Sequence, residues 1–444
     1  MTKDIIFQTP SGEIIGMEYP AVIRATGIPY AIAKRFEKPE TIGKYAEPVN
    51  ATQPAPACLQ NEDKAFSNFV GENILKDIKQ SEDCLNLSVT RPNSEQKNLP
   101  VMVWIHGGSY IAGAGDAFVF DPEPMAAEQN VIVVAVTYRL GLFGFLGNYN
   151  NIPPNFGYLD LVEALRWINK NIESFGGNPQ NVTLFGQSAG GDAVAQMMLI
   201  EETKSLFHNV IIQSAPFGLL FNKAKMIDDM ITVAKSLPQN ASKEKILSKQ
   251  LEVLTAAKSY GLKAGMPFGV QYGAYPFPKE ADVYKVWKER AKNINILAGY
   301  TKSETALYVP MIPQVKKVCQ IPLLGKVFKQ LFVEITTNIV YKKDCKKFAQ
   351  NCVTATNNVY QYEILWGSKT NGFGAAHTID IPLLFGESTT WENRKIVEGI
   401  TAEEIDKKGK EVRKMWAVFA ENGRLGHGGE IEGVLKYRKK NAEI

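Results

Sequence analysis

The sequence reads as an α/β protein, a mostly parallel central sheet with helices on both faces. Strand-like and helix-like segments alternate along most of the 444 residues. Residues 131–137 are β-branched and apolar on both faces, as a strand buried from two sides must be. Residues 159–172 follow with Leu161, Leu165 and Ile168 on one helical stripe, and a further strand-like run comes after them.

In chain order, residues 101–105 form a short apolar run ended by a glycine pair, and 131–137 and 159–172 give the strand and helix just described. Residues 182–185 read as a strand, followed by a turn bracketed by glycines and a helix at 193–200. Residues 210–213, 294–298 and 359–365 read as further strands, and 411–421 as a closing helix. Two stretches interrupt the alternation. Residues 217–290 are mixed and partly helical, and 305–358 carry amphipathic segments and lysine pairs. Insertions of this kind cover sites at the carboxyl ends of strands, so a single domain spanning 1–444 with helical, lid-like insertions at about 217–290 and 305–358 is expected. The amphipathic stretch 313–340 has two readings, an apolar entrance for greasy substrates or simple packing of the insertion. The lysine pairs and the basic run 436–440 read as solvated faces.

Composition excludes several classes of function. Apolar residues make up 45% and charged residues 22%, enough to bury a core. A net charge of +4 gives no footprint for nucleic acid. Residues 321–341 come nearest to a membrane span, but Lys326, Lys329 and Glu334 break the run, so none is expected. Residues 1–10 lack the apolar core and cleavage site of a signal peptide, and the five cysteines are odd in number and fit no zinc module. The expectation is therefore a cytoplasmic protein with free thiols, no metal and no cofactor.

Gly186-Gln187-Ser188-Ala189-Gly190 matches G-x-S-x-G, the nucleophile elbow of the α/β-hydrolase fold. The pattern alone is weak, and a structural Gly-Ser turn is the plain alternative. Its context is specific: a strand runs into it and a helix leaves it. The chemistry requires a sharp turn that lifts the serine out of the sheet, with glycines where the backbones crowd and a helix N-terminus aimed at developing negative charge. Upstream, Ile105-His106-Gly107-Gly108-Ser109-Tyr110 follows another strand. Glycine-rich loops there present backbone N–H groups which, with that of Ala189, would hold the oxyanion of a tetrahedral intermediate.

A base comes by elimination among four histidines. His106 lies in the oxyanion loop, His208 only 20 residues past Ser188, and His427 among glycines with no strand feeding it. His377 follows strand 359–365 and the loop 371–374, late in the chain as the order serine, acid, histidine demands. The acid should follow a strand between the two, and Glu304 is the only carboxylate in the loop 299–304. Asp344 and Glu363 are rivals, neither of them just past a sheet strand.

These motifs, together with 27–31, 81–87, Tyr138-Arg139-Leu140-Gly141, 155–157 and Phe175-Gly176-Gly177-Asn178-Pro179, occur in an order that resembles the type-B carboxylesterase family, which includes para-nitrobenzyl esterases and cholinesterases. The resemblance covers nearly the whole chain. It implies a triad of Ser188, Glu304 and His377, an oxyanion hole from Gly108, Ser109 and Ala189, and Ser214 as a partner of Glu304. It also implies a Cys58–Cys84 pair, bonded or left as two thiols according to the compartment. Three departures bear on substrate. Gln187 stands where the family usually has Glu, the stretch between Cys58 and Cys84 has no Trp on which to stack a choline cation, and Ser109 replaces a third glycine, narrowing the site against bulky tertiary alcohols.

The expected function is hydrolysis of neutral, small to medium carboxylic esters through an acyl-enzyme, by a monomer or weak oligomer whose partner is the small ester itself. The rate should rise with pH as the base loses its proton. Amide, carbamate or lactone hydrolysis on the same triad is the alternative, and a non-catalytic interaction protein of the same fold the remoter one.

Overall fold

The computed structural model describes residues 3–62, 64–322 and 324–441. Its main sheet is built from β1 (Lys3–Thr9), β2 (Gly12–Glu18), β3 (Val22–Pro29), β4 (Asn86–Pro92), β5 (Leu99–Ile105), β6 (Ile132–Val136), β7 (Gly177–Gln187), β8 (Asn209–Gln213), β9 (Asn295–Thr301), β10 (Val359–Ile364), β11 (Gly428–Ile431) and β12 (Leu435–Lys439). They lie side by side in the order β1-β2-β3-β4-β6-β5-β7-β8-β9-β10-β12-β11. The run from β6 to β10 is parallel. Antiparallel strands flank it on both sides, β1 to β4 on one and β12 with β11 on the other.

The sequence of β5 explains why the parallel run is central. Val101, Val103 and Ile105 enter one hydrophobic cluster, while Met102 and Trp104 enter another on the opposite face. Period-two alternation thus feeds two cores, and a strand covered on both faces has no use for polar residues. On one side the helix Phe156–Asn171 packs into the first cluster through Leu161, Leu165 and Ile168. On the other, Ala402–Asn422 packs into the second through Val412, Trp416 and Phe419. That closing helix begins nine residues ahead of the 411 expected from apolar spacing. Its first turns are almost wholly polar, and its start is fixed instead by Thr401, whose side chain accepts the Glu404 N–H, with Glu403 and Glu404 at the positive end of the helix.

Both insertions are helical. The first holds Ala224–Ala234, Lys243–Ala257 and Val283–Ala291, and the second holds Pro313–Cys319, Leu324–Thr337 and Lys343–Asn351. Among the described residues no helix is long and apolar enough to cross a membrane. Arg139 and Asp160 form a buried ion pair at 2.6 Å, with Asp160 also accepting the Arg139 N–H. Cys58 and Cys84 are both buried free thiols, as are Cys345 and Cys352, while Cys319 is a half-buried one.

Candidate active site

Strand β7 is longer than its apolar residues suggest and runs straight to Gln187. Ser188 follows with φ 59° and ψ −125°, a conformation open to a non-glycine residue only where its surroundings enforce it. Close packing is the enforcement. A Cβ on Gly186 would lie 2.7 Å from the Ile105 carbonyl oxygen, and one on Gly190 would lie 2.0 Å from that same atom. On Gly191 it would meet the Gln213 carbonyl at 2.7 Å. The helix after the turn therefore starts at Ala189, four residues earlier than the 193 expected. Glycine's poor helix propensity hid that first turn, and packing overrides it.

The imidazole of His377 sits between Ser188 and Glu304. Its Nε2 is 2.9 Å from Ser188 Oγ, and its Nδ1 is 2.6 Å from Glu304 Oε2. Both His377 and Glu304 are buried. The other carboxylate oxygen of Glu304 accepts the Thr301 N–H at 2.7 Å. Backbone bonds join the two loops as well: His377 N–H donates to the Glu304 carbonyl and Ser303 N–H to that of Ala375. With Nδ1–H donating to the carboxylate, Nε2 is left as the acceptor facing the serine hydroxyl. A hydroxyl backed by an imidazole and a buried carboxylate is equipped to attack an electrophilic carbon.

The remaining candidates fall elsewhere. His106 is buried under Tyr138 with Nδ1 2.8 Å from the Gly107 carbonyl oxygen, and burial pushes it down to about 4. His208 is half-buried and accepts the Val182 N–H. His427 is exposed. Glu363 is taken up by Lys342 and Lys436, and Asp344 lies on an insertion helix. Among the described residues the Glu304 carboxylate bonds only to His377 and Thr301, so the partnership with Ser214 implied by resemblance is corrected. The Ser214 backbone, at φ 50°, donates instead to the Gly299 carbonyl and helps hold the strand ends together.

Gly108, Ser109 and Tyr110 are three successive residues with positive φ, 109°, 53° and 61°. A Cβ on Gly108 would lie 2.0 Å from the Ala112 carbonyl oxygen, so only glycine serves there. No acceptor for the N–H groups of Gly108, Ser109 or Ala189 is found among the described residues. The loop is anchored from behind. Tyr110 donates its hydroxyl to Asp192 Oδ2 at 2.7 Å, one turn along the helix that starts at Ala189, and Gln196 donates to Asp192 Oδ1 at 2.8 Å. Lys223, also buried, donates to the Met266 and Phe268 carbonyls of the first insertion.

Burial pushes the Asp192 carboxyl up to about 6 and the Lys223 ammonium down to about 8. The folded carboxyl thus holds its proton to a higher pH than the unfolded one. Stability from this group is present below the ordinary carboxylate range and is lost as pH rises toward 6. Asp192→Asn carries no such titration. Urea melts should therefore show the variant gaining on the parent by about 2 kcal/mol between pH 4.5 and 7.5. A difference constant across that range would remove the pH-linked role of Asp192.

Two sets of contacts near the triad escaped the sequence reading. Gln187 Nε2 is 3.2 Å from His377 Nε2, on the same ring nitrogen that faces Ser188. Asp380, fully buried and pushed up to about 6 by burial, accepts from Gln213 Nε2 at 2.6 Å, and Gln213 Oε1 accepts from Trp416. The available signal was a carboxylate three residues past His377, at the cap of the short helix Ile381–Leu384.

Two apolar lobes meet at Ser188. One, about 170 Å³, is walled by Phe66, Phe69, Ile74, Phe120 and Leu307. The other, about 270 Å³, is walled by Leu219, Leu262, Met266, Phe332 and Val340. Ser109, Tyr308 and Met311 line both. Among the described residues, no Asp, Glu, Lys or Arg lines either lobe.

Compared with known proteins, the chain matches the model of the Carboxylesterase family over residues 3–322. It is 32% identical over 430 residues to a probable N-octanoylanthranilate hydrolase of Rhodococcus erythropolis, covering 95% of this chain and 94% of that one. It is 28% identical to the para-nitrobenzyl esterase of Bacillus subtilis (strain 168), covering 95% and 91%. Among solved structures it superposes on a thermophilic PNB esterase with a TM-score of 0.78 at 27% identity, covering 95% of this chain and 92% of the other.

Proposed function

The chain belongs to the carboxylesterase family, with the α/β-hydrolase fold its motifs predict, and from that premise we propose that it hydrolyses neutral carboxylic esters through an acyl-enzyme on Ser188. The unbroken hydrogen-bonded line from Ser188 Oγ through His377 to Glu304 carries this reading. His377 takes the serine proton as Oγ attacks the ester carbonyl, and the Glu304 carboxylate steadies the imidazolium that forms. The N–H groups of Gly108, Ser109 and Ala189 receive the oxyanion, a role that their lack of other acceptors among the described residues supports. The imidazolium then protonates the departing alcohol, and water releases the acyl group by the same steps in reverse.

Substrate class follows from the lobes. Apolar walls, with no Asp, Glu, Lys or Arg among their described residues, suit an uncharged acyl group on one side and an uncharged alcohol on the other. Phe66 and Phe69, from the stretch between Cys58 and Cys84, supply phenyl faces. Position 187, next to the nucleophile in the chain, is Gln, so it brings no charge to draw in a choline cation.

Amide cleavage is the second reading, favoured by the end-to-end match to a probable N-octanoylanthranilate hydrolase. An anthranilate carboxylate would meet no Lys or Arg among the described residues of either lobe, so an uncharged octanoyl anilide is the better test of that bond. The deciding experiment is a panel of para-nitrophenyl esters from acetyl to octanoyl, with the octanoyl anilide alongside. Ester turnover with a maximum at medium chain length is expected. Turnover of the anilide alone would move the assignment to amides, and folded protein that turns over nothing would overturn the hydrolytic reading.

A further inference from the structure

The helix Leu324–Thr337 is apolar on two opposite faces. Its inner face is anchored by Val333 and Thr336, and Phe332 and Thr336 wall the larger lobe beside Ser188. On its outer face Leu324, Val327, Leu331 and Ile335 recur at i, i+3, i+7 and i+11, within about 80° of arc and over about 17 Å of helix. They are 69, 58, 52 and 56% exposed. Ile321 before them and Ile339 after them are exposed as well. One exposed leucine on a folded protein means little, but a continuous apolar stripe on a face that ordinary amphipathicity would make polar marks a contact surface.

We propose that this stripe docks the protein on an anionic lipid surface. Charge selects that occupant. Between Thr305 and Thr337 the chain carries Lys316, Lys317, Lys326 and Lys329 against a single carboxylate, Glu334. Lys316, Lys317 and Lys326 are exposed, whereas Lys329 donates to the Gly372 carbonyl. A surface of anionic headgroups offers them counter-charge and receives the leucines and isoleucines below it. Because the inner face of the same helix walls the lobe next to Ser188, docking would place that lobe against the source of lipophilic substrate, a consequence that rests on the esterase reading, whereas docking itself does not.

The test reads binding without turnover. The full chain is floated with phosphatidylcholine vesicles, with and without phosphatidylglycerol, at low and high salt. Flotation with the anionic vesicles, weakened by salt, is expected. Val327→Ser with Leu331→Ser should lower that partitioning at least about tenfold, and Lys316→Gln with Lys317→Gln should lower it about tenfold on anionic vesicles only. Melts matching the parent keep misfolding out of the comparison. The proposal fails if the parent floats with neither vesicle, if the serine pair floats as well as the parent, or if light scattering shows a dimer that the serine pair abolishes, since the stripe would then belong to a second copy.

Discussion

Ser188→Ala should lower kcat on a para-nitrophenyl ester by about a million-fold, with the fold and KM nearly unchanged. The substitution removes one oxygen at the junction of two apolar lobes, so substrate still binds, but the atom 2.9 Å from His377 Nε2 is gone. His377→Ala should cost about as much, because a serine hydroxyl with no base beside it is a poor nucleophile at neutral pH. The double variant should be no slower than either single one, since the two groups act as a unit. Glu304→Gln is the more informative companion. The amide would occupy the same buried space, but its NH₂ would favour the imidazole tautomer with the proton on Nε2, facing the serine. A loss of about ten-thousand-fold is expected. What persists in all of these variants is the N–H cradle of Gly108, Ser109 and Ala189, which should keep a residual rate roughly a thousand-fold above water. Stopped-flow or steady-state rates on purified variants check each value. Ser188→Ala within tenfold of the parent would eliminate Ser188 as nucleophile.

These residues were legible in the sequence because their chemistry is tied to local pattern. The elbow is a strand, five residues and a helix; with so few histidines, one alone is both late in the chain and fed by a strand; and Glu304 is the one carboxylate in its loop. What the sequence hid was contact made across the fold. Gln187 was visible as a missing charge, yet nothing local showed that its amide would reach the imidazole. Asp380 meets Gln213 from 167 residues away, and Gln213 meets Trp416 from 203 residues away. In the stretch 313–340 one face of the helix Leu324–Thr337 packs and the other is exposed, and period alone cannot say which apolar face meets protein.

Gly190→Ala should destabilise the protein by at least about 3 kcal/mol, although alanine is the better helix former by about 1 kcal/mol. Gly190 lies in the first turn of the helix Ala189–Met197, and its φ is not the obstacle. The obstacle is distance: an added Cβ would sit 2.0 Å from the Ile105 carbonyl oxygen and 2.8 Å from that of His106. Both atoms are backbone, so no side chain can rotate away. Either the helix must lift off the sheet or the end of β5 must move. Each movement disturbs the site, because β5 leads into the oxyanion loop and the helix supplies the Ala189 N–H. Stability and rate should therefore fall together, with activity lost even below the melting temperature, when the variant is still folded. Gly43→Ala is the matching control: nothing lies within 4 Å of its added Cβ, its φ is not positive and it lines neither lobe, so its cost should stay within about 0.5 kcal/mol. Thermal melts paired with initial rates distinguish the two substitutions. A Gly190→Ala protein that melts with the parent and keeps its rate would mean that the strand end and the helix can separate by more than an ångström at no cost, contrary to the close packing that holds Ser188 at positive φ.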